Sequence, residues 1–237
     1  MARLCGILGG MGIDVTAALL ERIIDRTPAA REQDHLPLII NHNPRIPDRT
    51  AALLDGGEDP LPHLVRSLAM LERAGAAFIA IPCNTAHHYY DAMREAVSVP
   101  IIHMLRETAL RCLETAPGLR CAGLLATSGT VRTGLYQRCF AEHDVEVLSP
   151  ADALQAEVMG HIMDIKARKP VEPLRAGFAS VAEHLVQRGA EVIILGCTDI
   201  SLAVRAEDCP VPVIDSLSVL ADTVVRWAQE DIRDGRN

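Results

Sequence analysis

RAGAAFIAIPCNT, residues 73–85, and QRGAEVIILGCTD, residues 187–199, are two versions of one pattern. Gly75 aligns with Gly189, Ala76 with Ala190 and Cys83 with Cys197, all at an offset of 114 residues. Each copy has a glycine, a short apolar run, a cysteine and then small polar residues. A run of that length between turn residues predicts a strand buried on both faces. A short helix and then V-P-[IV]-I follow each cysteine, as Val99-Pro100-Ile101-Ile102 and Val211-Pro212-Val213-Ile214. Upstream, RLCGILGG (3–10) resembles LRCAGLLA (119–126). The chain therefore reads as two related halves.

Strand and helix patterns alternate along both halves. Helical spacing runs from about Val15 to Ile24, and PLPHLVRSLAMLERAG reads as a helix closed by Gly75. LPLIIN and residues 77–81 predict strands; a helix from about Thr85 to Val97 and a strand at VPIIHM follow. The second half has strand patterns at RCAGLLA, VEVLS, EVIILG and VPVID, with helices around 151–166 and 173–188. A last amphipathic helix carries Leu217, Leu220, Val224 and Trp227 on one face. LLDGGEDPLP (53–62) is the most loop-like stretch. The expectation is an α/β fold of two similar lobes, each a mainly parallel sheet flanked by helices and related by a pseudo-two-fold axis. Residues 1–100 with 215–237 would form the lobe carrying Cys83, and residues 101–214 the lobe carrying Cys197. Ligands of open α/β sheets bind beyond the carboxyl ends of the strands. Facing halves would thus bring both cysteines to one cleft.

The 237 residues suffice for a sizeable core, and 49% hydrophobic against 23% charged content is ordinary for a globular chain. A net charge of −8 without a dense basic stretch argues against a nucleic-acid partner. No apolar stretch approaches the ~18 residues that read as a membrane span. The first residues lack a signal-peptide pattern, so a cytoplasmic protein is expected. Seven cysteines without C-x-x-C spacing suggest neither a disulfide framework nor a metal site.

Two thiols on opposite sides of one small molecule suit inversion of a stereocentre. One takes a proton from one face while the other returns a proton to the opposite face, and the roles exchange in reverse. A free thiol has a pKa of ~8.5, within reach of local tuning. Helix N-termini after each cysteine would favour the thiolate.

The ordered set GILGGMG, NPRIPDRT, IPCNTAHHYYD, LLATSGTV, IKA and LGCTD, spread from residue 6 to 199, resembles the aspartate/glutamate racemase family, in its cofactor-independent aspartate racemase-like branch. The resemblance implies two α/β lobes, an active site between them, catalysis without pyridoxal phosphate or any other cofactor, no metal, and a homodimer. It implies Cys83 and Cys197 as the acid/base pair, and an acidic amino acid, aspartate or glutamate, as substrate. Arg49 and Lys166 would hold carboxylates. Asn84, Thr85, Thr127, Thr130 and Thr198 would donate hydrogen bonds to carboxylate oxygens or to the developing enolate-like charge. Met11 and Gly10 would form part of the floor, with His87 and Asp199 behind the residues that touch substrate. Two departures bear on side-chain selectivity. Asp199 stands where the family has Glu after G-C-T, and Ile13-Asp14-Val15 replaces Pro-Glu-Ala after G-G-M-G.

Simpler roles compete at each position. Cys5, Cys112, Cys121, Cys139 and Cys209 read as small buried hydrophobes. The cysteine repeat can be the relic of a duplicated lobe, and Arg49 a solvated charge. Lys166 is one of only two lysines, with Lys169, among 23 Lys and Arg residues. His87 and His88 would place one ring in the core and one in solvent. The dinucleotide fingerprint fails at Val15, there is no phosphate-binding G-x-x-x-x-G-K-[ST] loop, and a Schiff-base lysine has only two polar-segment candidates. Rival functions are a cysteine-dependent isomerase or decarboxylase of a small diacid, a non-catalytic small-ligand sensor, and a redox dithiol.

Overall fold

The computed structural model describes residues 2–230. The first half runs β1 (Cys5–Gly9), α1 (Ile13–Arg26), β2 (Leu38–His42), α2 (Arg49–Leu54), α3 (Leu61–Arg73), β3 (Phe78–Ala80) and α4 (Tyr90–Ala96). α5 (Met104–Thr115) leads into β4 (Cys121–Leu125), α6 (Ser128–Arg132), α7 (Leu135–Phe140), β5 (Glu146–Leu148), α8 (Asp152–Lys166), α9 (Glu172–Gln187), β6 (Val192–Leu195), β7 (Val213–Asp215) and α10 (Ser216–Gln229).

The strands form two parallel sheets, ordered β2-β1-β3 and β5-β4-β6-β7. Ile101 makes an isolated parallel bridge to Ile79, as Val213 pairs with Ile193. The two sheets thus repeat one order, with the fourth member shrunk to a bridge in the first. This is the structural counterpart of the sequence repeat. It also corrects the strand expected at VPIIHM, where a single bridge forms. The helix expected over Thr85–Val97 is split into a 3-10 turn (Thr85–Tyr89) and α4.

Both sheets are covered on two faces. Alternate residues of the central strands, Cys5, Ile7, Phe78 and Ala80 from one sheet and Ala122, Leu124, Val192 and Ile194 from the other, meet a shared core. Leu19 and Ile23 of α1, Leu105 and Ala109 of α5 and Leu217, Leu220 and Val224 of α10 fill it. The opposite faces pack on α3 and α4 through Leu64, Leu68 and Met93, and on α8 and α9 through Val158, Ile162, Phe178 and Leu185. Burial on both faces explains why these strands read as near-continuous apolar runs. The aligned glycines 75 and 189 leave α3 and α9 at φ +89° and +106°, in the left-handed region that a helix C-terminus uses to turn the chain into the next strand. The expected lobe boundary at 100/101 lies beside the Ile101 bridge and that at 214/215 lies inside β7; residues 231–237 of the first lobe lie outside the described residues. Among the described residues no helix is long and apolar enough to cross a membrane.

Candidate active site

β3 and β6 each lead into a short turn that carries a buried cysteine at the carboxyl end of its sheet. Cys83 and Cys197, both 6% exposed, line one cavity between the two halves, with Met11, Asp48, Arg49, Thr50, Asn84, Thr85, Thr127, Lys166, Thr198 and Asp199. Its free space is about 300 Å³ including the mouth.

The two halves are tied together at the cavity wall. Thr198 Oγ1 donates to the Pro82 carbonyl at 3.0 Å. Tyr136 donates to Asn84 Oδ1 at 2.7 Å, Asn84 Nδ2 to Ser216 Oγ at 3.0 Å, and Ser216 Oγ to the Leu195 carbonyl at 2.7 Å. Thr85, Thr127 and Thr130 bring three hydroxyls within 2.9–3.1 Å of one another. Thr127 also caps α6 by accepting from Thr130 N. Thr130 is therefore held behind Thr85 and Thr127 and does not line the cavity. Gly129 lets α2 approach α6, since a Cβ there would lie 2.9 Å from Thr50 Oγ1.

Arg49 is 7% exposed. Its Nη1 donates to the carbonyls of Pro47 at 3.0 Å and Ile46 at 3.3 Å, while its buried Nε has no partner among the described residues. An unpaired buried donor on a guanidinium is costly, and a carboxylate bound in the cavity would supply the missing acceptor. Lys166, at the end of α8, reaches Asp48 at 3.6 Å. Burial pushes the Asp48 carboxyl up, but the N–H groups of Ala51 and Thr50 and the charges of Lys166 and Arg49 outweigh it and hold it below the usual carboxylate range.

Burial first, then the Asp199 carboxylate, pushes the Cys197 thiol well up, with Lys166 opposing. The expectation that a helix N-terminus favours the thiolate is thus corrected at this position: only a short 3-10 turn, Ile200–Leu202, follows, and desolvation dominates. Asp199 Oδ2 lies 3.7 Å from Cys197 Sγ. Asp199, expected behind the contact residues, lines the cavity, and burial raises its own carboxyl.

His87 stands behind Cys83. Its Nε2 accepts from Met104 N at 3.2 Å, so Nδ1 carries the proton and donates to the Cys83 carbonyl at 2.9 Å. Burial lowers its pKa and keeps it neutral. Gly10 N donates to Thr16 Oγ1 at 2.9 Å, and a Cβ there would strike the Asn43 backbone. Asp48 and Thr50 are cavity residues that sequence reasoning missed, although they flank Arg49 in NPRIPDRT. Tyr136 and Ser216, which position Asn84, carried no local signal. Among the described residues no cluster of His, Cys, Asp and Glu is arranged to hold a metal.

The chain is similar to known proteins over nearly its whole length. The family model for Asp/Glu/Hydantoin racemase matches residues 8–224. The broad specificity amino-acid racemase RacX of Bacillus subtilis is 30% identical over 232 residues, covering 93% of this chain and 96% of that protein. The structure of Picrophilus torridus aspartate racemase superimposes with a TM-score of 0.85 at 27% identity, covering 95% of this chain and 94% of the other. An aspartate racemase homologue from Pyrococcus horikoshii gives 0.77 at 27% identity, covering 97% and 100%.

Proposed function

The chain belongs to the Asp/Glu/hydantoin racemase family, and from that premise we propose that it is a cofactor-independent racemase of an acidic amino acid, aspartate first and glutamate second. The observation that carries this reading is the cavity itself. One thiol from each half lines it, beside a buried guanidinium with an unpartnered Nε.

In this reading Arg49 holds the α-carboxylate, and Lys166 meets the side-chain carboxylate. One cysteine, as thiolate, takes the α-proton, and the opposite thiol protonates the planar intermediate from the other face. Asn84, Thr85, Thr127 and Thr198 supply donors where negative charge develops on the carboxylate oxygens. Burial and Asp199 favour Cys197 as the thiol, the acid form. In the opposite direction the Cys197 thiolate left by that step takes the α-proton and the Cys83 thiol returns one, with Asp199 Oδ2 3.7 Å from the Cys197 sulfur. Met11 forms part of the floor, and Gly10, which does not line the cavity, stands next to it in the chain. A homodimer and a cytoplasmic setting accompany this reading.

A second reading widens the substrate class. The cavity's two cations, Arg49 and Lys166, share it with two acids, Asp48 and Asp199, both of which feel them. A cavity whose cations already meet acids suits an amino acid with a neutral side chain, and the relative named RacX is described as broad in specificity.

The test is proton NMR in D₂O without added cofactor, with L-aspartate, L-glutamate and neutral L-amino acids, followed by chiral chromatography. Loss of the α-proton with appearance of the D-isomer is expected, and the rate ratios choose between the two readings. Exchange surviving undiminished in a Cys83→Ser, Cys197→Ser double variant would sink the thiol mechanism. Retention of the α-proton with every substrate would leave the diacid isomerase and the sensor.

A further inference from the structure

On the far side of His87 lies a second cavity, of about 590 Å³ including its mouth, that the proposed chemistry does not use. The turn at His87 and His88, the N-terminus of α5 at His103 and Arg106, and Arg138 on α7 enclose it. Two guanidiniums face it. Arg138 Nη1 donates to the Thr133 carbonyl at 2.5 Å, and neither Arg106 nor Arg138 has an acid within 4.0 Å among the described residues. Asp91 is the one acid lining the space. The histidines there are neutral. Burial, then His87 and Arg106, bring His103 down to about 3, and burial, then Arg138, lowers His88.

The rings are placed to donate. His103 Nδ1 accepts from Arg106 N at 3.2 Å, so its proton sits on Nε2, which has no protein partner among the described residues. Two forked cations and a free ring N–H around a small cavity make an oxyanion receptor, and they stand out in a chain of net charge −8. His87 joins this space to the Cys83 backbone: it lines the cavity and holds the Cys83 carbonyl.

We propose that this cavity binds a small oxyanion, a phosphate or carboxylate group, and that its occupant acts on Cys83 through His87. An anion here draws on Arg106, Arg138 and His103 and shifts the His87 ring between them and the Cys83 backbone.

The test uses the full chain with isotope-labelled histidine, the ring signals assigned with His88→Gln and His103→Gln. Inorganic phosphate and, separately, acetate are titrated at constant ionic strength made up with chloride. Saturable shifts of the His88 and His103 rings are expected, and the tighter of the two probes identifies the source of the oxyanion. An Arg106→Ala, Arg138→Ala variant, changed at two exposed positions, should weaken binding roughly tenfold or more. Alkylation of Cys83, followed by peptide mass spectrometry, should change in rate with the anion in the parent chain and not in the variant. Shifts that never saturate, that chloride reproduces, or that survive in the variant would overturn the site. Saturable binding with an unchanged Cys83 alkylation rate would overturn the link to the thiol.

Discussion

The Thr198 hydroxyl donates to the Pro82 carbonyl at 3.0 Å, tying the residue after one thiol to the residue before the other. This bond fixes the spacing of the two turns across the cavity. In Thr198→Val the isosteric methyl keeps the packing but leaves a buried carbonyl without that donor, at a cost of about 1–3 kcal/mol. Turnover should fall roughly tenfold or more, because the thiols lose register with the α-carbon. Steady-state kinetics check this, and Thr198→Ser should restore most of the loss. Full activity in the valine variant would show that the turns are held by other means.

Removing the charge at Asp199 should act on Cys197 in a definite direction. The carboxylate raises the thiol pKa, so Asp199→Asn lowers it. The limb of the kcat/KM profile that reports Cys197 ionisation should move to lower pH, and thiolate absorbance should appear earlier in a titration. A limb that stays in place or moves up contradicts the assignment.

Arg49→Lys keeps the charge but deletes the fork and its unpaired Nε. The ammonium cannot bond the Pro47 and Ile46 carbonyls and a carboxylate in the same geometry. KM should rise by about tenfold or more, at a similar melting temperature. An unchanged KM would place the carboxylate elsewhere.

The buried thiols predict alkaline sensitivity. Burial raises Cys5 and Cys112 to about 12, and Cys139 and Cys209 to about 11, from a reference of 9.0. Below the reference value both folded and unfolded chains keep these protons, and the stabilising contribution is fully present. Above it the unfolded chain releases protons first, so stability falls as pH rises from about 9 to about 11–12. Urea unfolding under reducing conditions should show a midpoint that declines across this window. Cys112→Ala, a small change in a buried place, should flatten the decline; a midpoint independent of pH would refute the cause.

The repeat was legible because the same physics acts twice. A strand buried on both faces needs an apolar run, and a left-handed helix exit needs a glycine, so Gly75 and Gly189 marked both copies. The cysteines followed by position. What the one-dimensional pattern hid was partnership. VPIIHM has the composition of a strand, but only Ile101 finds a neighbour in the sheet, and strand pairing is a property of the partner as much as of the segment. The rise in the Cys197 pKa depends on desolvation by residues distant in sequence. The link from Tyr136 through Asn84 to Ser216 spans residues that no local motif connects. Asp199 was visible as a departure from G-C-T-E, but its place on the cavity wall emerged only in three dimensions.

The turns beyond the two thiols are unlike: Asn84-Thr85 on one wall, Thr198-Asp199 on the other. Mirror-image reactants have equal free energies in water, so the equilibrium constant of their exchange is one. In the proposed reaction, kcat/KM must therefore be the same in both directions, whatever the walls are made of. The lopsided walls can only set affinity against speed: the enantiomer with the lower KM must also have the lower kcat, by the same factor.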